Sequence, residues 1–270
     1  IYMKEGLLTY ELTNDYLNIG DYVQSIAAKQ FLSNNHDRVY IDREHLNSYD
    51  GDEVALIMNG WFLMTPKNFP HSKKIKPVLV SHHINISVHE HFSKSPEIIA
   101  FYKENEPVGC RDYFTMDFLK SLGVEVYYTG CLTLTLGDTF QTTERSNKVY
   151  FVDPRYKKHK GFVNKFKTAL YGIKRFSTIN AIRKKFKKDN KLKSWYKTIE
   201  FYKSYSQIFT DDVLINAEYV KHFVPGKQFK NEDEIFEFGE NLLRKYAQAN
   251  FVVTARIHCA LPSLSMGTPT

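Results

Sequence analysis

Residues 107–128 read PVGCRDYFTMDFLKSLGVEVYY, and the reading of this stretch decides the fold class. Pro107 to Cys110 is a short apolar run of strand character. Phe114, Phe118, Leu119 and Leu122 then recur at helical spacing between Asp112, suited to cap a helix, and Gly123, suited to end one. Val124 to Tyr128 is β-rich again. Strand, helix and strand in such close succession make a βαβ unit, and its two strands run parallel.

The same alternation extends on both sides. Gly6 to Leu12, Val54 to Met58 and Pro77 to Val80 read as further strands. Val23, Ile26, Ala27, Gln30 and Phe31 form one face of a helix with Asp21 as its expected N-cap. Repeated β and α units predict a parallel sheet covered on both faces, a Rossmann-like α/β layer. The polar stretch from Gly137 to Lys148 then separates an expected first domain, residues 1–140, from a second, residues 149–270. In the second, Ile235, Phe238, Leu242, Leu243 and Tyr246 mark a helix opened by Glu232, Asp233 and Glu234, whose charge suits the helix dipole. Phe251 to Thr254 reads as a buried strand. A further helix is expected after Arg256-Ile257-His258, with Pro262 in its first turn and Gly267 as its stop. Thr268 to Thr270 reads as the start of another strand, so this domain is expected to be incomplete at its C-terminus.

Composition bounds the function. Of 270 residues, 43% are hydrophobic, which excludes wholesale disorder, and 13 Gly with 9 Pro exclude collagen-like and low-complexity classes. No apolar run is long enough to span a bilayer. Cys110, Cys131 and Cys259 are isolated among apolar neighbours with no CxxC pair, which reads as reduced core cysteine in a cytoplasmic protein. The net charge of +7 is concentrated. From Arg155 to Lys193 there are fifteen Lys or Arg and one acid, Asp189, so the rest of the chain is net −7. A general nucleic-acid reading is therefore not supported, and no RNA-binding motif is present.

Within that basic segment, expected as a helical insertion at 155–193, Phe162, Phe166, Leu170, Ile173 and Phe176 share one helical face while Lys160, Lys167, Lys174 and Arg175 share the other. Ile179, Ile182 and Phe186 lie opposite the first stripe. One straight helix is excluded, and a break near Ser177 to Asn180 is expected. The pattern suits either an anionic membrane surface or packing on the parent domain.

In open α/β sheets ligands bind beyond the carboxyl ends of strands, where helix N-termini offer free N–H groups. Three clusters occupy such positions. Asn18-Ile19-Gly20-Asp21 sets a glycine beside a carboxylate that either caps its helix or holds a sugar hydroxyl and accepts a proton. Arg111-Asp112 offers a guanidinium whose fork matches carboxylate or phosphate. Arg256-Ile257-His258 joins a permanent cation to a group expected to titrate near neutrality and to move a proton. His82, His83, His89 and His91 crowd together. His89 and His91, if on a strand, would share a face, but without a fixed third ligand no metal site is expected. His83 is the member assigned to substrate.

At these residues the chain resembles the polysaccharide pyruvyl transferase family. The matching parts are Asn18-Ile19-Gly20-Asp21 with Tyr22-Val23-Gln24-Ser25-Ile26-Ala27-Ala28, then Gly109-Cys110-Arg111-Asp112 leading to Thr129-Gly130-Cys131-Leu132-Thr133-Leu134-Thr135-Leu136, then Val253-Thr254-Ala255-Arg256-Ile257-His258-Cys259-Ala260-Leu261-Pro262. The resemblance runs through residues 6–136 and 232–270 and leaves the basic middle without a counterpart. It implies two Rossmann-like domains in a glycosyltransferase-B-like arrangement with the active cleft between them. It also implies transfer of a pyruvyl ketal from phosphoenolpyruvate to a sugar. Together with the basic helices, this leads to the expectation of a cytoplasmic enzyme acting on an exopolysaccharide or lipid-linked glycan precursor at the inner face of the membrane. By the same resemblance Arg256 and His258 belong to the family's Arg-x-His motif and Arg111 is a second donor-binding residue, while the reading of the residues themselves makes Asn18, Gly20, Asp21 and His83 candidates for the acceptor, with Asp21 also catalytic. No metal or other cofactor is called for. Two rival readings are a nucleotide-sugar glycosyltransferase of the same architecture and a non-catalytic membrane-associated scaffold.

Overall fold

The structure is a computed structural model that describes residues 3–12, 15–33, 38–158, 162–186 and 191–270, with the side chains of 162–165 and 191–193 outside the description. Lys160, and the side chain of Phe162, therefore lie outside the described residues.

The first half is an α/β arrangement of parallel strands. β1 (Lys4–Thr9) lies between β3 (Arg38–Asp42) and β4 (Val54–Ile57), and β6 (Ile75–Val78) follows on the far side of β4. A second parallel group runs β5 (Gly60–Phe62), β7 (His82–Ile84), β8 (Val108–Cys110) and β9 (Val126–Tyr128). The two groups are continuous through the backbone, since Met58 N–H donates to Val78 O and Gly60 N–H to Ser81 O at 2.9 and 3.0 Å. β2 (Tyr16–Asn18) leaves this layer and pairs antiparallel with β12 (Phe223–Pro225) of the second half.

The helices of this half are α1 (Ile19–Lys29), α2 (Ile86–Ser93), α3 (Pro96–Glu104), α4 (Tyr113–Ser121) and the short α5 (Gly137–Phe140). The βαβ unit read from residues 107–128 is present as β8, α4 and β9. Asp112 caps α4 by accepting the Thr115 N–H at 2.9 Å, and Gly123 ends it with φ of +73°. Three expectations are corrected. The first strand ends at Thr9 rather than Leu12, freeing Tyr10 and Glu11. α1 is capped by Asn18, whose Oδ1 accepts the Gly20 N–H, so Asp21 lies inside the first turn. His89 and His91 lie on α2 and not on a strand, so two residues of separation turn them to different sides.

In the second half β10 (Val149–Val152) is central, with β11 (Glu218–Val220) and β13 (Phe251–Thr254) parallel on its two sides. Its side chains alternate as a strand buried on both faces must. Tyr150 and Val152 join the main core, while Val149 and Phe151 join a second core with Ile179, Ile182, Ile199, Phe201, Tyr202, Leu214 and Ala217. The basic segment supplies α6 (Phe162–Lys174) and α7 (Phe176–Lys185), followed by α8 (Lys191–Tyr205) and α9 (Asp211–Asn216). The helix break falls at Arg175, whose φ of −120° and ψ of 28° leave the helical region, and not at Ser177 to Asn180. α10 (Glu232–Ala247) opens on the expected acidic turn, and its face of Ile235, Phe236, Leu242, Leu243 and Tyr246 is buried. α11 (Ile257–Ser265) begins directly at Arg256, so Pro262 sits inside it rather than in its first turn, and the backbone bends at His258. After Gly267, with φ of +73°, the chain runs beside β13, where Val252 N–H donates to Pro269 O. All three cysteines are free and buried. Among the described residues no helix is long and apolar enough to cross a membrane.

Candidate functional site

A cleft of about 500 Å³ opens at the carboxyl ends of β1, β3, β5, β8 and β13. It brings together the three clusters singled out in the sequence, for its walls include Asn18, Gly20 and Asp21, then Arg111, then Arg256 and His258.

The floor is built on α1. The Asn18 Nδ2 donates to Asp21 Oδ2 at 3.1 Å and Gln24 Nε2 donates to Asp21 Oδ1 at 3.2 Å. Burial raises the Asp21 carboxyl above its usual range, against the opposing effects of Arg43, Asn18 and Arg111. Gln24 Oε1 in turn accepts from Arg111 Nη1 at 3.2 Å. This contact depends on Gly60, whose φ is +102° and where a Cβ would lie 2.8 Å from Gln24 Oε1. Behind Arg111, Asp112 Oδ2 meets His83 Nδ1 at 2.6 Å. Burial opposes ionisation of Asp112, but the Thr115 N–H and His83 outweigh it and hold the carboxyl below its usual range. His83 itself is not part of the cleft wall. A fixed run of contacts thus ties Asn18, Asp21, Gln24, Arg111, Asp112 and His83 into one unit.

The opposite wall comes from the second half. Arg256 Nε donates to Asp153 Oδ2 at 2.9 Å, and its guanidinium lies 4.9 Å over the Phe223 ring. Asp153 Oδ2 also accepts the His222 N–H at 3.1 Å, and His222 O accepts the Ile19 N–H at 2.8 Å. His222 is fully buried, its Nε2 is 3.2 Å from the Tyr246 hydroxyl, and its Nδ1 has no partner. His258 Nε2 is likewise buried and unpartnered. The expectation that His258 titrates near neutrality is corrected. Burial, with Arg111, His222 and His83 nearby, pushes its pKa down to about 3, so the imidazole of the free cleft is neutral.

Sequence reading missed Arg43. It is 3% exposed, its guanidinium is stacked between Tyr10 and Trp61 at 4.9 and 4.8 Å, and Nη1 is buried without a partner. Its Nε donates to the buried Glu44 Oε1 at 3.0 Å, so the charge is paired within the protein and only Nη1 is left as a donor to the cleft. The signal was the run Val39-Tyr40-Ile41, a strand that places Arg43 just past its carboxyl end. Asp153 was findable by the same rule, since it follows β10 directly.

Two other histidines of the sequence cluster, His82 and His89, lie outside the cleft wall. His82 is fully buried between Met58 O and the Tyr102 hydroxyl, each at 3.0 Å, and His89 stacks on Phe118 with centroids 3.7 Å apart. Among the described residues, Glu11, Asp42 and His45 place one ligand atom each within 4.8 Å of one another, a cluster unrelated to the four histidines read in the sequence.

Fold and cleft together define an α/β protein that presents arginines and imidazoles, each with one ring nitrogen unpartnered, at the carboxyl ends of parallel strands, the arrangement with which such folds receive small anionic ligands. Comparison with known families is specific. The chain belongs to the polysaccharide pyruvyl transferase family, whose model matches residues 18–270. The matched range begins at Asn18 and spans the basic segment. No curated protein and no solved structure matches the chain. Family membership makes the protein a transferase of pyruvyl groups to a glycan.

Proposed function

We propose that the cleft takes phosphoenolpyruvate as donor and converts two hydroxyls of one sugar, free or in a lipid-linked precursor, into a pyruvyl ketal. What supports this reading is the convergence of Arg111, Arg256 and the unpartnered His258 Nε2 on one cleft. Arg111 and Arg256 hold the donor's carboxylate and phosphate, where charge matters most in a partly dry site. Arg43, paired with Glu44, offers Nη1 to the cleft from the first half, the half that carries Arg111.

In the reaction the methylene carbon of the enol phosphate gains a proton while a sugar hydroxyl adds to the adjoining carbon. The added hydroxyl gives up its proton, phosphate leaves with its bonding pair, and a second hydroxyl closes the ketal and loses its own proton. His258 and Asp21 carry the proton steps. Neutral in the free cleft, His258 becomes easier to protonate once an anionic donor offsets the field of Arg111. Asp21, with its raised pKa, accepts a proton from the acceptor held beside Asn18 and Gly20. His83 acts from behind the wall, fixing Asp112 and so Arg111. The two halves, residues 1–140 and 149–270, serve as the two Rossmann-like domains of a glycosyltransferase-B-like enzyme, working at the cytoplasmic face of a membrane.

Incubation with phosphoenolpyruvate and a panel of glycan acceptors should release phosphate and give a product heavier by one pyruvyl ketal. The Arg256→Ala and His258→Ala variants should lose that activity while keeping the native melting profile. Stabilisation by nucleoside diphosphates and none by phosphoenolpyruvate would sink the reading.

A further inference from the structure

The basic segment carries two apolar stripes, and the protein buries only one. Ile179 and Ile182 of α7 are fully buried against the second core, and Phe186 is half-buried against Phe201 and Tyr219. α6 reaches that core only at its edge, through Tyr171. Its inner face is Thr168, Tyr171 and Gly172, with Ile199 of α8 seated against Gly172 so closely that a Cβ there would clash. Phe166, Leu170 and Ile173, at i, i+4 and i+7, are 59%, 46% and 65% exposed, and Phe176 at the start of α7 is 58% exposed. Lys167 and Lys174 stand exposed along one flank of that row, whereas Arg175 turns inward and donates to the Tyr202 hydroxyl at 2.9 Å.

Charge decides what covers the row. The segment from Arg155 to Lys193 has fifteen cations and one acid. A two-fold pairing of copies through this face would set cations against cations. An anionic lipid surface meets both features, apolar side chains entering the acyl boundary and lysines reaching phosphates. We propose that α6 is an interfacial helix that docks the protein on an anionic membrane through Phe166, Leu170, Ile173 and Phe176, with Lys167 and Lys174 at the headgroups. The docking is independent of the reaction in the cleft.

The test is co-sedimentation of the full chain with vesicles of phosphatidylcholine alone and of phosphatidylcholine mixed with phosphatidylglycerol. Binding is expected to the mixed vesicles, to weaken as salt rises, and to fall at least about tenfold when Phe166, Leu170 and Ile173 are all replaced by Ser. Because these side chains are exposed, the triple variant should keep the wild-type circular dichroism and melting profile, which are checked alongside. A Leu170→Trp variant should show blue-shifted emission, quenched by brominated lipid, on the mixed vesicles. Failure to bind either vesicle overturns the proposal. So does equal binding to both, or binding that survives the triple substitution. A self-association abolished by the triple variant, with no vesicle binding, would mark the row as a protein interface instead.

Discussion

Arg256 is held by Asp153: the guanidinium Nε sits 2.9 Å from a carboxylate oxygen that also accepts the backbone N–H of His222. One acidic side chain therefore fixes both the cation and the backbone segment that form the second wall of the cleft.

Asp153→Ala should lower kcat/KM for phosphoenolpyruvate by about tenfold or more, a loss of about 1.4 kcal/mol. Asp153→Asn should retain more activity than Asp153→Ala, because it keeps an acceptor for Arg256. Steady-state kinetics on the two variants decide it, and equal activity of both with the wild type would remove Asp153 from the positioning of Arg256.

Arg43→Met removes the guanidinium from between Tyr10 and Trp61 and leaves the buried Glu44 without its cation, so it should lower the melting temperature and also reduce the thermal stabilisation given by phosphoenolpyruvate. Melting curves with and without the compound measure it. An undiminished shift would mean that the buried Nη1 faces no donor anion.

Gly60→Ala should destabilise the protein by about 1–3 kcal/mol, because φ of +102° is unfavourable for alanine and the new Cβ meets Gln24 Oε1. Activity should fall as well, since Gln24 holds Arg111. Urea denaturation reads the first effect and turnover the second.

Stability should decline as pH falls from about 6.5 toward 4. His82 and His222 are pushed down to about 4 and His258 to about 3, in each case mainly by burial. In the unfolded chain these groups take up protons near their ordinary value of about 6.5. The unfolded state thus binds more protons across that window, and protonation favours unfolding. Melting temperature measured against pH, with His82→Gln as comparison, should show the wild type losing stability more steeply. A flat profile between pH 6.5 and 4.5 would contradict the burial of these rings as neutral groups.

The parts of the fold legible from sequence were those with long period signals and punctuation. The unit β8, α4 and β9 had a capping Asp112 and a terminating Gly123, and α10 had its acidic turn and its stripe. Three-residue strands such as β2, β5, β7 and β12 carry too few positions for a period to show, and unlike the equally short β8 and β9 they are not set off by a capped and terminated helix between them. The cap of α1 was misplaced because Asn18 and Asp21 are both good caps, and local sequence does not say which oxygen reaches an N–H. Arg111, Arg256 and His258 were found because each follows a recognisable strand. Arg43 and His222 follow elements whose strand character was not recognised. Two apolar stripes in the basic segment were legible as such, yet which one faces water depends on α8, a partner distant from α6 in neither sequence nor charge but decisive in shape.

The pairing of β2 with β12 fixes the order in which a newly made chain can finish its site. Asn18, Gly20 and Asp21 emerge early from the ribosome, but the carbonyl of His222 that receives the Ile19 N–H is synthesised about two hundred residues later. Until then the start of α1 lacks its neighbour, and a ribosome-bound nascent chain stopped before β12 would hold the first half of the cleft without the arginine and imidazole that face it.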